Sequence, residues 1–362
     1  MRILALVTDA YGGHGGIALY NRDLLQALAD MPEVEHIDVV PRTMRFEPQE
    51  IPAKVSFHAD TVGSKLRFIS RGLKLALASS IRPDLIVCSH VHLLPLAVVL
   101  ARMSRARIVL VVYGIDVWQI PYRTARHWVK RCDAIWSISD ITRGKMNEWA
   151  DLPAHRYTLL PNAIHLDRYE PGQRDTALLA KFGIPRDATV LLTVGRLAGF
   201  ERYKGIDETV AVLPAVLEHY PNARFVIVGD GNDRPRLEKL VHDSGLTQCV
   251  TFAGLVDEHE KLRWYQSADV FVMPGRGEGF GFVFLEALAC GVPAVGSNAD
   301  GSREALKGGE LGEIVDPTDI THVRDGIVRA LQRPREVPAG LTYFAWPSFT
   351  RRVRDAALAA MI

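Results

Sequence analysis

The sequence predicts an α/β protein built from two doubly wound parallel-sheet domains, and three observations predict it. Short runs of β-branched and apolar residues alternate with segments whose apolar positions recur every three or four residues, which is the rhythm of βαβ units. That rhythm starts again after Pro185. The length, 362 residues, supplies two domains against a norm of about 150 residues each.

In the first half, 3–7, 37–40, 85–88, 108–113 and 134–138 read as strands, with 18–29, 65–80 and 142–150 as helices between them. The stretch 161–185 carries glycine, proline and charge but little periodicity, and reads as a linker. Beyond it, 189–194, 224–228, 250–252, 270–273 and 292–296 are strands, and 207–219, 235–243, 259–267 and 282–289 are helices. The expected domains are 1–165, joined by a crossing helix within 345–362, and 166–344. Such sheets bind ligands at the carboxyl ends of their strands, so the expected site is a cleft between the two domains.

Composition narrows the function classes. Hydrophobic residues at 48% and charged residues at 23% describe an ordinary globular chain without long disorder. A formal net charge of +1 argues against a general nucleic-acid coat. The charge is uneven: residues 42–131 hold 15 basic and 5 acidic side chains, which suits a face that meets a phosphorylated ligand or an anionic lipid surface. Cys88, Cys132, Cys249 and Cys290 form no CxxC pair, so reduced, buried thiols are expected rather than zinc or redox chemistry. The start lacks the apolar core of a secretory signal. The apolar stretch 85–101 is broken by Ser89, His90, His92 and Pro95 and falls short of the ~20 residues that span a bilayer. A cytoplasmic protein is expected.

The strongest chemical signal is EGFGFVFLEALACG, residues 278–291. Directly after a predicted strand, Gly279 and Gly281 let backbone approach a ligand, and a helix opening near Phe282 points free amides at it, an arrangement suited to phosphate. Glu278 in the loop and Glu286 two turns down the helix then reach hydroxyls at opposite ends of an elongated ligand, the shape of a sugar nucleotide. The plainer alternative is a glycine turn before a helix whose glutamates are merely solvated. A second signal, TVGRLAGFERYKG at 193–205, places Arg196 and Lys204 after a strand-terminal glycine, a fork and a point charge that neutralise a diphosphate. No GxxxxGK[ST] occurs, which removes a P-loop NTPase.

VGRLAGFERYKG, VGDGNDRPRLEKL, TFAGLVDEHEKL and EGFGFVFLEALACGVPAVGS, in that order, together with LPNAIHLDRYEP at 160–171, resemble the retaining glycosyltransferases of family 4. The resemblance implies the GT-B fold of two Rossmann-like domains, a nucleoside diphosphate sugar as donor, and no cofactor. By the same resemblance, Glu278 and the amides of Gly279, Phe280, Gly281 and Phe282 hold sugar and phosphate, and Glu286 accepts from the ribose. Arg196 and Lys204 stabilise the departing diphosphate, and backbone near Val256 meets the nucleobase. The match is looser in the first half. Tyr113 stands where relatives often carry a histidine, and Asp116 follows as orienter, proton acceptor or ordinary loop residue.

The loop DAYGGHGGIALY admits two readings. Gly13, Gly15 and Ala18 satisfy G-x-G-x-x-A, the dinucleotide fingerprint, although no acid clearly ends the second strand beyond Asp38. In the glycosyltransferase reading Gly15 and Gly16 let the loop approach the diphosphate, and His14, Tyr113 and Asp116 face the acceptor. The basic helix 65–80 is expected to bury Leu66, Ile69, Leu73 and Leu77. Its opposite face, with Arg67, Arg71 and Lys74, is either solvated or rests on anionic lipid. No HExxH or D-x-D motif occurs, so no metal is expected.

The function expected is transfer of a hexose of mannose or glucose type to an acceptor hydroxyl. The resemblance adds retention of configuration and a place in surface polysaccharide, lipopolysaccharide or glycolipid assembly. The partners are then a nucleotide sugar and a sugar or lipid-linked glycan, with peripheral contact to the inner membrane face. A sugar-phosphate synthase or nucleotide-sugar epimerase on the same fold is the alternative, and a non-catalytic nucleotide-sugar binder is a weaker one.

Overall fold

The computed structural model describes the chain except residues 14, 49, 79–81, 200 and 201. The chain divides into two compact units, Met1–Ala163 with Trp346–Ile362, and Ile164–Ala345.

The first unit runs β1 (Arg2–Val7), α1 (Gly16–Ala29), β2 (His36–Pro41), β3 (Val55–Phe57), α2 (Lys65–Leu77), β4 (Leu85–Cys88) and α3 (Leu94–Ser104). It continues through β5 (Arg107–Val112), α4 (Ala125–Val129), β6 (Ala134–Ser137), α5 (Asp140–Ala150) and β7 (Tyr157–Leu159). Among the described residues seven strands form one parallel sheet in the order β3-β2-β1-β4-β5-β6-β7. The second unit runs α6 (Thr176–Lys181), β8 (Val190–Val194), α7 (Ile206–His219), β9 (Arg224–Val228), α8 (Arg234–Asp243), β10 (Val250–Gly254), α9 (Glu258–Ser267) and β11 (Val270–Val272). It ends with α10 (Phe282–Ala289), β12 (Ala294–Ser297), α11 (Ser302–Ala305), β13 (Glu313–Val315) and α12 (Ile320–Leu331). Here six strands form a parallel sheet ordered β10-β9-β8-β11-β12-β13.

Both orders reverse direction once, between β1 and β4 and between β8 and β11, and that switch point is where such sheets open a crevice for ligands. The four strands flanking the two switch points are almost wholly buried. This is why they read as unbroken apolar runs rather than as an in–out alternation. The helix α13 (Trp346–Ala359) belongs to the first unit, where Phe349 meets Tyr20 of α1 edge-on with ring centroids 5.9 Å apart.

Two expectations are corrected. The stretch read as a linker contains α6: the Asp175 side chain accepts from the Leu178 amide at 2.8 Å, and Leu178 and Leu179 are buried. Six residues are too few to show a period. Helix α2 buries Phe68, Gly72, Leu75 and Ala76, leaving Leu66 79% and Leu77 48% exposed. The reason is the partner: a Cβ on Gly72 would stand 2.9 Å from Leu100 of α3, so the small-residue face is the one that admits the neighbouring helix.

Cys88, Cys132 and Cys290 are buried, Cys249 is half-buried, and all four are free thiols. Burial pushes the Cys88 and Cys290 thiols up to about 12. No helix among the described residues is long and apolar enough to cross a membrane.

Candidate functional site

The second sheet's switch point gathers Arg196, Lys204 and Glu278 with the start of α10. Strand β8 runs into Gly195 and the exposed Arg196, and this turn is laced to the one after β9. The Gly195 amide donates to Val228 at 2.9 Å, and the Leu197 amide to Asp230 at 3.0 Å. Gly229 has φ +130°, and a Cβ there would collide with the Gly195 carbonyl. The segment after β11 is tied to the same loop, since the Arg276 amide donates to the Tyr203 carbonyl at 2.7 Å. Lys204 Nζ then stands 3.7 Å from Glu278 Oε2. A shallow, open pocket lies beside them, lined by Arg196, Arg202, Lys204, Asp207 and Asp233 together with apolar side chains.

Glu278 is fixed through its backbone. Asp300 Oδ2 accepts the Glu278 amide at 3.0 Å, and the Gly301 amide donates to the Glu278 carbonyl at 2.8 Å. Position 301 has to be glycine, because a Cβ there would collide with the Gly279 carbonyl. Asp300 is itself buried and accepts from the Ser302 amide at 3.1 Å and hydroxyl at 2.6 Å; burial raises its carboxyl above the usual range. Sequence reasoning missed Asp300. The available signal was an acid in the turn after a buried strand, followed by Gly301 and Ser302.

Helix α10 opens at Gly281, φ +92°, with no side chain capping its first turn. Its leading amides therefore remain available for an anion. The Phe280 side chain is buried against Phe344 at 5.5 Å, so that position offers a ligand its backbone alone.

Glu286 is not a solvated glutamate, for it is 4% exposed. Tyr265 Oη donates to Oε2 at 2.7 Å, and Lys261 Nζ meets Oε1 at 3.1 Å. Tyr169 Oη lies 3.0 Å from both Glu286 Oε1 and Glu258 Oε2 and donates its single proton to one at a time. A carboxylate has about four lone-pair sites. Three described partners leave Glu286 room for one further donor, where a ribose diol would bring two. Val256 sits beyond β10, the sheet's edge strand, two strands from β8.

In the first unit the loop after β1 separates glycines that the fold needs from glycines it does not. A Cβ on Gly12 would overlap Met44 and approach the Phe46 carbonyl to 2.7 Å, and one on Gly13 would overlap the Asp9 carboxylate. Gly15 and Gly16 are exposed, and a Cβ on Gly15 would meet nothing within 4 Å. Gly15 is the N-cap of α1, which also lacks a capping side chain. His14 lies outside the described residues. Asp38, weighed as the acid of a dinucleotide fingerprint, lies inside β2 with its Oδ1 2.8 Å from His58 Nε2, so it is not placed at a strand end to hold a ribose.

Tyr113 does not offer its proton to a ligand, contrary to expectation. It is buried, and its hydroxyl donates to Asn21 Oδ1 at 2.6 Å, while Asn21 Nδ2 donates to the Asp9 carbonyl at 2.7 Å and faces Ser89 Oγ at 3.3 Å. The network joins β1, α1, β4 and β5 at the carboxyl ends of the strands. Asp116 accepts the Tyr113 amide through Oδ1 at 3.2 Å, and its Oδ2 is buried without a hydrogen-bond partner. Burial pushes this carboxyl up to about 7. Among the described residues no group of three His, Cys, Asp or Glu side chains is arranged to hold a metal ion.

Comparison with known proteins follows the same division. Residues 175–343 match the family described as glycosyl transferases group 1, and residues 14–168 match glycosyltransferase family 4. A GDP-mannose-dependent alpha-(1-6)-phosphatidylinositol monomannoside mannosyltransferase of Mycolicibacterium smegmatis is 31% identical over 286 residues, covering 74% of each chain. The protein of the same description from Mycobacterium tuberculosis is 32% identical over 259 residues, 68% of this chain and 66% of that one. Among solved structures, Anabaena Alr3699/HepE in complex with UDP-glucose aligns with TM-score 0.76 at 17% identity, over 99% of this chain and 100% of that one. Sucrose-phosphate synthase of Thermosynechococcus elongatus aligns with TM-score 0.74 at 22% identity, over 99% of both. With two parallel α/β units of the GT-B type and these matches across both halves, the chain belongs to the family 4 glycosyltransferases.

Proposed function

We propose that this protein transfers a hexose, mannose or glucose in type, from a nucleoside diphosphate donor to an acceptor hydroxyl with retention of configuration and without a metal ion. The observation that carries this reading is the meeting of Lys204 and Glu278 at 3.7 Å, between Arg196 and the uncapped start of α10, at the switch point of the second sheet. Two cations and a helix N-terminus suit the charge that grows on a departing diphosphate, the task a divalent ion performs elsewhere. Glu278, its backbone clamped, is the acceptor for donor-sugar hydroxyls. Glu286 takes one hydroxyl of the ribose, and backbone near Val256 takes the base.

On this reading the exposed Gly15 and Gly16 are donor-binding positions, Asp116 orients the acceptor, and His14 is a further acceptor-binding residue. Tyr113 supports the loop from below. The leaving phosphate oxygen takes the proton of an acceptor hydroxyl that arrives on the same face of the sugar. The relatives named for phosphatidylinositol monomannoside favour a glycolipid acceptor, with polysaccharide assembly as the wider class. Leu66 and Leu77, exposed on α2 beside Lys65, Arg67 and Lys74, suit a peripheral seat on anionic lipid at the cytoplasmic face.

The test is transfer by the purified chain from GDP-mannose and UDP-glucose to phosphatidylinositol-type and oligosaccharide acceptors, with and without a chelator, the product anomer being read by NMR. Arg196→Ala and Glu278→Ala are each expected to lower kcat/KM by two orders of magnitude or more, about 3 kcal/mol of transition-state stabilisation. Near-normal rates in either variant, or inversion at the anomeric carbon, refute the assignment.

A further inference from the structure

The donor-site reading assigns the diphosphate to Arg196 and Lys204, yet a third cation lines the same pocket. Arg202 opens the turn that ends at Lys204. Its Nε stands 3.3 Å from Asp233 Oδ1, and its side chain is 59% exposed whereas that of Asp233 is 5% exposed. Asp233 does not depend on this contact. Arg236 grips it with two bonds, Nε to Oδ1 at 2.9 Å and Nη2 to Oδ2 at 2.6 Å. The same guanidinium also holds Asp207, Nη1 to Oδ1 at 2.5 Å and Nη2 to Oδ2 at 2.9 Å.

Arg236 is committed to two carboxylates, and three further cations line the pocket, Arg196, Arg202 and Lys204, of which Lys204 also faces Glu278. Three cations around one pocket suit an anion with more than one charge. The contact of Arg202 is readily exchanged: a long, exposed side chain meets, through Nε, a carboxylate that already has a bidentate partner. Exposed pairs of this kind contribute little, whereas a guanidinium on a phosphate forms paired, charge-assisted bonds.

We propose that Arg202 is a third phosphate-binding residue of this site, with Asp233 as the positioning residue that holds its guanidinium beside the pocket until a diphosphate takes it. The proposal rests on the donor-site reading and adds to it a sensitivity to the number of phosphates. Arg202 acts on the diphosphate and contributes nothing to recognition of the base or ribose.

The experiment is calorimetric titration of the full chain, wild type and Arg202→Gln, with guanosine, GMP and GDP and with uridine, UMP and UDP. Arg202→Gln is expected to weaken the diphosphate about tenfold or more, the value of one charge-assisted contact, while nucleoside and monophosphate stay within about twofold. Arg202→Lys, which keeps the charge and loses the fork, is expected to fall between. Unchanged diphosphate affinity in Arg202→Gln overturns the proposal and leaves the donor site standing, and so does an equal loss for all three ligands, which marks a structural role. A wild-type chain that binds neither diphosphate rejects the donor-site reading itself.

Discussion

Asp300 and Glu278 are joined by one hydrogen bond, the Glu278 amide to Asp300 Oδ2 at 3.0 Å, and it orients a carboxylate from beneath through its own backbone. Because Asp300 is buried and serves two segments, its loss is felt both in the fold and at the site. Asp300→Ala is expected to cost about 1–3 kcal/mol of stability and at least tenfold in kcat/KM. Paired thermal melts and donor kinetics decide this; a variant that melts and turns over like the wild type removes Asp300 from the site.

The Glu286 cluster is a coupled unit. Lys261→Met leaves a buried carboxylate without its cation and is expected to destabilise by about 3 kcal/mol. Adding Glu286→Gln removes the charge that needed it, so the double variant should be more stable than the sum of the two single losses. A double-mutant cycle from melting data measures this coupling, and strict additivity would show that Lys261 and Glu286 are independent.

Asp116 sets a pH dependence of known sign. Its carboxyl is pushed up to about 7 in the folded chain, first by burial, from an ordinary value of 3.8. The folded state therefore binds the proton more tightly than the unfolded one between these values, and the contribution to stability, complete below about pH 4, is lost as pH rises towards 7. Asp116→Asn, a permanent stand-in for the protonated form, should lack this decline and melt above the wild type at pH 8. Parallel Tm profiles from pH 5 to 8.5 for the two proteins would sink the idea.

The loop after β1 allows fold and ligand approach to be separated. Gly12→Ala forces a Cβ against Met44 and the Phe46 carbonyl and is expected to cost about 1–3 kcal/mol. Gly15→Ala adds a methyl group to open space at an ordinary φ of −82°, so its Tm should stay at the wild-type value while kcat/KM falls about tenfold or more. A Gly15→Ala variant with wild-type turnover would place the ligand elsewhere.

The parts of this protein written in continuous sequence were legible. The strands at both switch points are buried on two sides and announce themselves as apolar runs, and the Glu278 loop and α10 form one unbroken motif. Elements of three residues at the sheet edges, β3, β7 and β13, carry too little pattern. The burial of α2 was misread because Gly72 has no hydrophobicity to mark the face that packs. The partners of Glu278 and Glu286 were illegible for another reason. Asp300 lies 22 residues from Glu278, and Tyr169 lies 117 residues from Glu286, and hydrophobic periodicity says nothing about hydroxyls and acids that converge from separate segments.

The return of α13 to the first unit makes that unit discontinuous in the chain, with residues 164–345 inserted between its parts. The insert's two ends lie side by side, the Ile164 amide donating to the Phe344 carbonyl at 2.8 Å and Ile164 bridging Ala345 in parallel. An insert with adjoining ends loses little loop-closure entropy when it is placed inside a host. During synthesis it is complete while the host still lacks α13. The second unit is therefore able to mature first, and the half it interrupts gains the core residues of α13, Phe349 and Val353 among them, only once that helix has been made. Premature termination near residue 345 would yield a finished insert in an unfinished host.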